Sequence, residues 1–260
     1  MAIQYTDWIY SKSKHYIENC GHDENKKYKG GKAGDQTGDE MVLRTWYNRP
    51  WTSCLHFPDP DVRILIARLA IASALNNNIG YDQGNRTSFW NELKKVDYNP
   101  TLIKTPCEAD CTSSTTAIVK AAGFLCDVKS LQNLPLSITS RNMRAKFSAA
   151  GFVVRTEPRY LNTPDNLAPG DILLYDGHHA AINVTVGKKA TDGDGNEILV
   201  RGNSVYVRVG PSASFPYLGV AHKGDKFTYL NELNDSGSGW YKILYNNNTG
   251  WISRKYSQLI

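Results

Sequence analysis

Apolar residues run almost unbroken from Val62 to Leu75, opened by Asp59-Pro60 and followed by Asn76-Asn77-Asn78 and Gly80. Asp as N-cap with Pro at the first helical position starts a helix, and the Asn cluster with Gly stops it. An amphipathic run over 111–122 predicts a second helix closed by Gly123, and a third is expected over 139–150, again ended by a glycine. Met41–Tyr47, Phe152–Val154, Ile172–Tyr175 and Ala180–Val186 read as strands. Residues 80–109 read as a long loop with a short helical piece, and the Asp-Gly pairs within 190–197 mark a turn between strands. Beyond Gly202-Asn203 the pattern changes to short β runs separated by Gly, Pro and Asn: Val205–Val209, Leu218–Val220, Phe227–Leu230, Trp240–Tyr245 and Gly250–Ile252. The predicted architecture is α+β over residues 1–202, with helices packed on an antiparallel sheet, followed by a small all-β barrel over 203–260.

Composition narrows the function classes. Of the 260 residues, 41% are hydrophobic and 21% charged, the balance of a folded chain rather than a disordered one. Fifteen Tyr and six Trp serve carbohydrate or peptide surfaces as readily as core packing. The net charge of +5 suits an anionic partner, but Lys and Arg are scattered, which argues against a nucleic-acid groove. Five cysteines are too few for a disulfide scaffold, and the odd number leaves a free thiol. No metal or other cofactor is expected. Cys107 and Cys111 lack a second pair, and the acidic turn at 190–197 does not complete a calcium loop. No apolar run reaches membrane-spanning length, and the N-terminus lacks the basic-then-apolar design of a signal peptide. A soluble, cytoplasmically made and monomeric product is expected, with any external action depending on another release route.

The candidate chemistry centres on Cys111. It opens the predicted helix at Glu108-Ala109-Asp110-Cys111-Thr112-Ser113-Ser114, where Asp110 can cap and the helix dipole favours a thiolate. Downstream stands Gly177-His178-His179-Ala180-Ala181-Ile182-Asn183, where strand alternation puts His179, Ala181 and Asn183 on one face. A thiol at a helix N-terminus with a strand histidine has the wiring of a cysteine hydrolase, with His178 as a competing base. Such a pair needs a third group to orient the imidazole. Asn183 and Asn203 are candidates near in sequence, and others lie elsewhere in the chain.

These motifs resemble the NlpC-type papain-like cysteine hydrolases of bacterial peptidoglycan, phage lysins especially. Asp110-Cys111-Thr112-Ser113 stands where that superfamily has Asp-Cys-Ser-Ser or Asp-Cys-Ser-Gly, and Gly170-Asp171 with His179 matches its histidine strand. Gly80-Tyr81-Asp82-Gln83-Gly84-Asn85-Arg86 is similar to a lysin pattern just before the nucleophile, which implies that Tyr81 helps hold the oxyanion. The stretch Gly30-Gly31-Lys32-Ala33-Gly34-Asp35-Gln36-Thr37-Gly38-Asp39-Glu40, with Arg44, Trp46-Tyr47 and Pro50-Trp51, follows the histidine in many such lysins and here precedes it. The catalytic domain therefore resembles a circular permutant, with segment 1–58 moved to the front. The third residue would then fall near Asn19, with His15 as the other candidate.

Residues 205–212, Gly239-Trp240-Tyr241-Lys242 and Gly250-Trp251-Ile252 resemble a bacterial SH3 domain. That resemblance implies wall binding, through Trp240, Tyr241 and Trp251 if they are exposed. The combined expectation is an endolysin-like hydrolase acting at the bacterial wall, holin-released or tail-borne. It would cut either after D-glutamate or between muramic acid and L-alanine. The alternatives are a non-catalytic wall-binding or tail protein, and an acyltransferase with the same Cys–His pair.

Overall fold

In the computed structural model, the described residues are 3–188, 190, 197–229, 239–246 and 248–260. The chain divides into two compact units, 1–190 and 191–260. Most of the turn expected over 190–197 lies outside the described residues.

The first unit is built on a six-stranded, wholly antiparallel sheet. Its strands are β1 (Tyr16–Cys20), β2 (Met41–Thr45), β3 (Ser53–His56), β6 (Val153–Arg155), β7 (Ile172–Tyr175) and β8 (His179–Asn183), in the order β2-β1-β8-β7-β3-β6. Two long helices, α2 (Pro60–Ala74) and α4 (Cys111–Leu125), pack on each other, and both contact β8. Asp59 caps α2 by accepting from the N–H groups of Asp61 (2.9 Å) and Val62 (3.4 Å). Every residue of α2 from Val62 to Ser73 is buried, which accounts for its unbroken apolar run. The shorter helices are α1 (Tyr5–Ile9), α3 (Ser88–Lys95), α5 (Lys129–Gln132), α6 (Met143–Ala149) and α7 (Pro158–Leu161).

Alternation along β8 separates two cores. Ala180 and Ile182 join the large cluster beneath the helices, while Ala181 packs with Ile17, Trp51, Cys54, Leu167 and Leu173 on the other side. Two short strands inside the expected 80–109 loop, β4 (Ile79–Tyr81) and β5 (Cys107–Ala109), pair in parallel. Gly123 does not end α4, which continues to Leu125. A Cβ on Gly123 would sit 2.5 Å from Leu131 Cβ, so the glycine marks the close passage of α5, not a helix stop.

The second unit is all-β. It contains a four-stranded sheet and a three-stranded sheet, joined by a bridge between Tyr229 and Ile243. The first sheet orders β11 (Tyr217–His222), β10 (Ser204–Arg208), β14 (Asn248–Ser253) and β13 (Trp240–Tyr245). The second orders β12 (Lys226–Thr228), β9 (Glu197–Val200) and β15 (Ser257–Leu259). Ile198, Val200, Val205, Val207, Ala221, Tyr229, Ile243 and Ile252 fill its core, as in a small barrel of SH3 type. β9, which precedes the boundary expected at 202/203, pairs with β12 and β15 and so packs with the second unit.

Candidate active site

Cys111 is the first residue of α4, and Asp110 is its cap. The Asp110 carboxylate accepts from the N–H groups of Thr112 (3.0 Å) and Ser113 (2.7 Å), and Ser113 Oγ accepts from the Asp110 N–H, closing a capping box. Ser114 N–H goes to the Asp110 carbonyl. The N–H of Cys111 itself has no acceptor among the described residues, so one donor of the helix end stays open beside the thiol. Burial would raise the Asp110 carboxyl, but the Arg86 guanidinium, 2.7 Å away, and the Ser113 N–H hold it below the usual carboxylate range.

A cleft of about 460 Å³ is lined by Cys111, His178, His179, Asn19 and Tyr81 among others. His179 and Asn19 meet through strand register. The pairing of Ile17 with Asn183 and Glu18 with Ile182 sets Asn19 opposite Ala181 and diagonal to His179 on the same face. The small Ala181 leaves the imidazole free to cross, and His179 Nε2 lies 2.9 Å from Asn19 Oδ1. An amide oxygen only accepts, so the neutral ring carries its proton on Nε2 and keeps its lone pair on Nδ1. Tyr47 Oη also donates to Asn19 Oδ1 (3.0 Å), and Arg49 Nη1 lies 3.4 Å from Tyr47 Oη. Trp51 stacks on His179 with centroids 6.1 Å apart. A Cβ on Gly21 would come within 2.9 Å of Asn19 Nδ2, so this glycine leaves room for the amide.

His15, the other candidate for the orienting group, lies outside this arrangement. Its Nε2 lies 2.6 Å from Asn183 Oδ1, and the Asn183 amide donates onward to the Ala168 and Thr185 carbonyls. The sheet thus carries two His–Asn pairs on one face, and only Asn19–His179 lines the cleft. Asn203 belongs to the second unit. His178 is exposed in the β7–β8 turn and stacks on Tyr175 at 4.2 Å. Tyr81 is buried, its hydroxyl accepts from Gln83 Nε2 (3.0 Å), and its N–H donates to Glu40 Oε2 (3.0 Å). That last bond explains part of the glycine-rich stretch. Asp35 accepts from Thr37, Gly38 and Glu40 N–H groups, and so shapes the loop that delivers Glu40 to Tyr81. Gly170-Asp171 is structural: a Cβ on Gly170 would lie 2.1 Å from the Arg63 carbonyl oxygen, and Asp171 holds buried His56 at 2.7 Å.

The resting charges differ from the sequence expectation. Burial, reinforced by the Asp110 carboxylate, pushes the Cys111 thiol up to about 12, although N–H groups of Ala180 and Thr112 favour the thiolate. The helix end therefore does not by itself ionise Cys111. Burial, then Arg49 and Arg44, pulls His179 down to about 3, with Asp110 opposing. At neutral pH both partners are uncharged. Next to them, on the other face of β1, Glu18 is 1% exposed with no partner for Oε1, and burial lifts its carboxyl to about 8.

Arg86, Tyr47, Trp51, Gly21, Arg44 and Arg49 were given no role by sequence reasoning. The signal available for most of them was the motif that contains them. In the second unit Trp240, Tyr241 and Trp251 are half-buried, and Tyr241 packs on Tyr229 at 5.4 Å. The more exposed aromatics are Tyr206, Phe215, Tyr217 and Tyr256.

Among the described residues no group of three or more His, Cys, Asp or Glu could hold a metal ion, and no helix is long and apolar enough to cross a membrane. Residues 17–190 match the model of the endolysin-like domain, and residues 203–258 match that of the bacterial SH3 domain. The first match begins at Ile17, so all of β1 but Tyr16, Asn19 included, and the glycine-rich stretch lie inside the family's domain. No curated protein matches the chain.

Proposed function

Because the chain belongs to the endolysin-like domain family and carries a bacterial SH3 domain, we propose that it is a peptidoglycan hydrolase that cuts an amide of the wall stem peptide through a Cys111 thioester. The two domains together suggest a peptidoglycan-related lysin acting on the cell wall, and the NlpC-type cysteine mechanism is our finer reading. The observation that carries it is the Asn19–His179 hydrogen bond in the same cleft as a helix-opening cysteine. A sheet in which β1 and β2 extend the β7–β8 hairpin supports a permuted papain-like domain.

The neutral resting pair favours general-base attack. His179 Nδ1 takes the thiol proton as Sγ attacks the amide carbon, and the tetrahedral oxyanion sits against the open Cys111 N–H, with Tyr81 as a second donor. The C–N bond breaks as the amine leaves with the proton from His179. Water, deprotonated by the same ring, then hydrolyses the thioester and restores the thiol. Asn19 is a positioning residue that fixes the ring tautomer.

The test is Cys111→Ala on purified cell walls. The variant should release no new amino groups while still co-sedimenting with wall, and mass spectrometry of wild-type products names the bond. Release by the variant equal to wild type would overturn the cysteine mechanism. One observation, the thiol held at about 12, favours the other reading of a wall-binding protein with an unreactive cleft. Under that reading wild type and variant are equally inert.

A further inference from the structure

The cleft is charged in a way the thioester mechanism does not use. Its lining holds three cations, Lys26, Arg44 and Arg49, and no Asp or Glu. Lys26 is neutralised by an ion pair with Asp39. Arg44 and Arg49 are not: among the described residues neither reaches a carboxylate, and both side chains lie against Tyr47. Arg44 Cζ lies 5.3 Å from the Tyr47 ring centroid, and Arg49 Nη1 lies 3.4 Å from its hydroxyl. Two other half-buried arginines of this unit do reach acids, Arg86 with Asp110 and Arg144 with Asp176. Two guanidinium groups left unmatched on the wall of one cleft form a site for an anion. Their planar forks match a carboxylate, which accepts two parallel N–H bonds.

We propose that Arg49, with Arg44 beside it, is a carboxylate subsite that selects peptides bearing a free carboxylate close to the amide attacked by Cys111. The inference rests on the proposed wall-peptide reaction and names the feature of the substrate that the cleft reads. The subsite is wired to the reacting pair through Arg49, Tyr47, Asn19 and His179 in sequence. It is also coupled through space, because Arg49 and Arg44 are the charges that disfavour the imidazolium. A bound carboxylate cancels that field and makes His179 a stronger base when substrate is in place. Selection and activation then come from one contact.

The experiment uses three soluble disaccharide pentapeptides: one with all carboxylates free, one with a carboxamide at the second residue, and one with a carboxamide at the C-terminus. Wild-type protein should cut one amidated peptide with kcat/KM about ten- to a hundredfold below the parent, which identifies the carboxylate that is read. In Arg49→Gln the ratio between that pair of peptides should collapse toward one, and Arg44→Gln should reduce it in part. Equal cutting of all three by wild type, or a ratio unchanged in the double variant, would overturn the subsite. If the parent peptide is not cut, the proposed reaction falls, and calorimetric Kd values for the three peptides on the Cys111→Ala protein still decide the subsite. The same ratio of affinities, lost on adding Arg49→Gln, supports it, and equal affinities refute it.

Discussion

Glu18→Gln isolates the effect of burying an acid beneath the nucleophile. Glu18 is fully enclosed between β2 and β8, and its favourable neighbour is the backbone N–H of Ile182. Unfolded, the carboxyl ionises near 4.5; folded, it ionises at about 8 because burial penalises the charge. A carboxyl raised in the folded state contributes fully below its unfolded value, and that contribution is lost as pH rises to the folded value. Each pH unit in that window removes about 1.4 kcal/mol, so the loss reaches about 3 kcal/mol near neutral pH and about 5 kcal/mol by the upper end. Glutamine keeps the shape and cannot ionise. Urea unfolding of the full chain, followed by far-UV circular dichroism, reads mainly the first unit, since all its described helices lie there. Both proteins should be similarly stable at mildly acidic pH, and the variant should gain steadily on wild type towards alkaline pH. Parallel curves, or a variant less stable at neutral pH, would refute the account of Glu18 as a neutral buried acid.

Three further outcomes follow from the site and its packing. Asn19→Ala should lower kcat on the order of a hundredfold by freeing the ring. Since the base is the neutral imidazole and His179 is pulled down to about 3, the wild-type acid limb of kcat/KM should lie well below an ordinary histidine's, and Asn19→Asp should move it to higher pH. Limbs that coincide in the two proteins would count against His179 as the base. Gly123→Ala forces a Cβ to within 2.5 Å of Leu131 and should cost about 1–3 kcal/mol in thermal or urea unfolding, where an unaffected Tm would show that α5 can yield.

The elements with strong local signals were legible in the chain. The Asp59-Pro60 cap, the apolar run behind it and the Asp110-Cys111 helix start all depend on neighbours within one turn. β1 was not legible as a strand, because both of its faces are buried and Glu18 and Asn19 break the alternation. β4 and β5 are three residues each and exist through pairing with each other, so no local pattern could announce them. In the site, Cys111 and His179 stood out by motif, and Asn19 by its distance from the glycine-rich stretch. What separated Asn19 from His15 was cross-strand register, which a single sequence does not display. The thiol's raised pKa was missed for a related reason: the helix end was visible, but the burial around it was not.

The pairing of β1 with β8 closes a loop of more than half the chain. Contacts so distant in sequence form late in folding and open early under stress. The nucleophile helix and the histidine strand can be complete while the amide that steers the ring is still unattached. Competence in this cleft is therefore an all-or-none report on the docking of the first twenty residues. A single proteolytic cut between β1 and β2 should silence the thiol, whereas loss of residues 1–25 also takes Ile9 and Cys20 out of the main core.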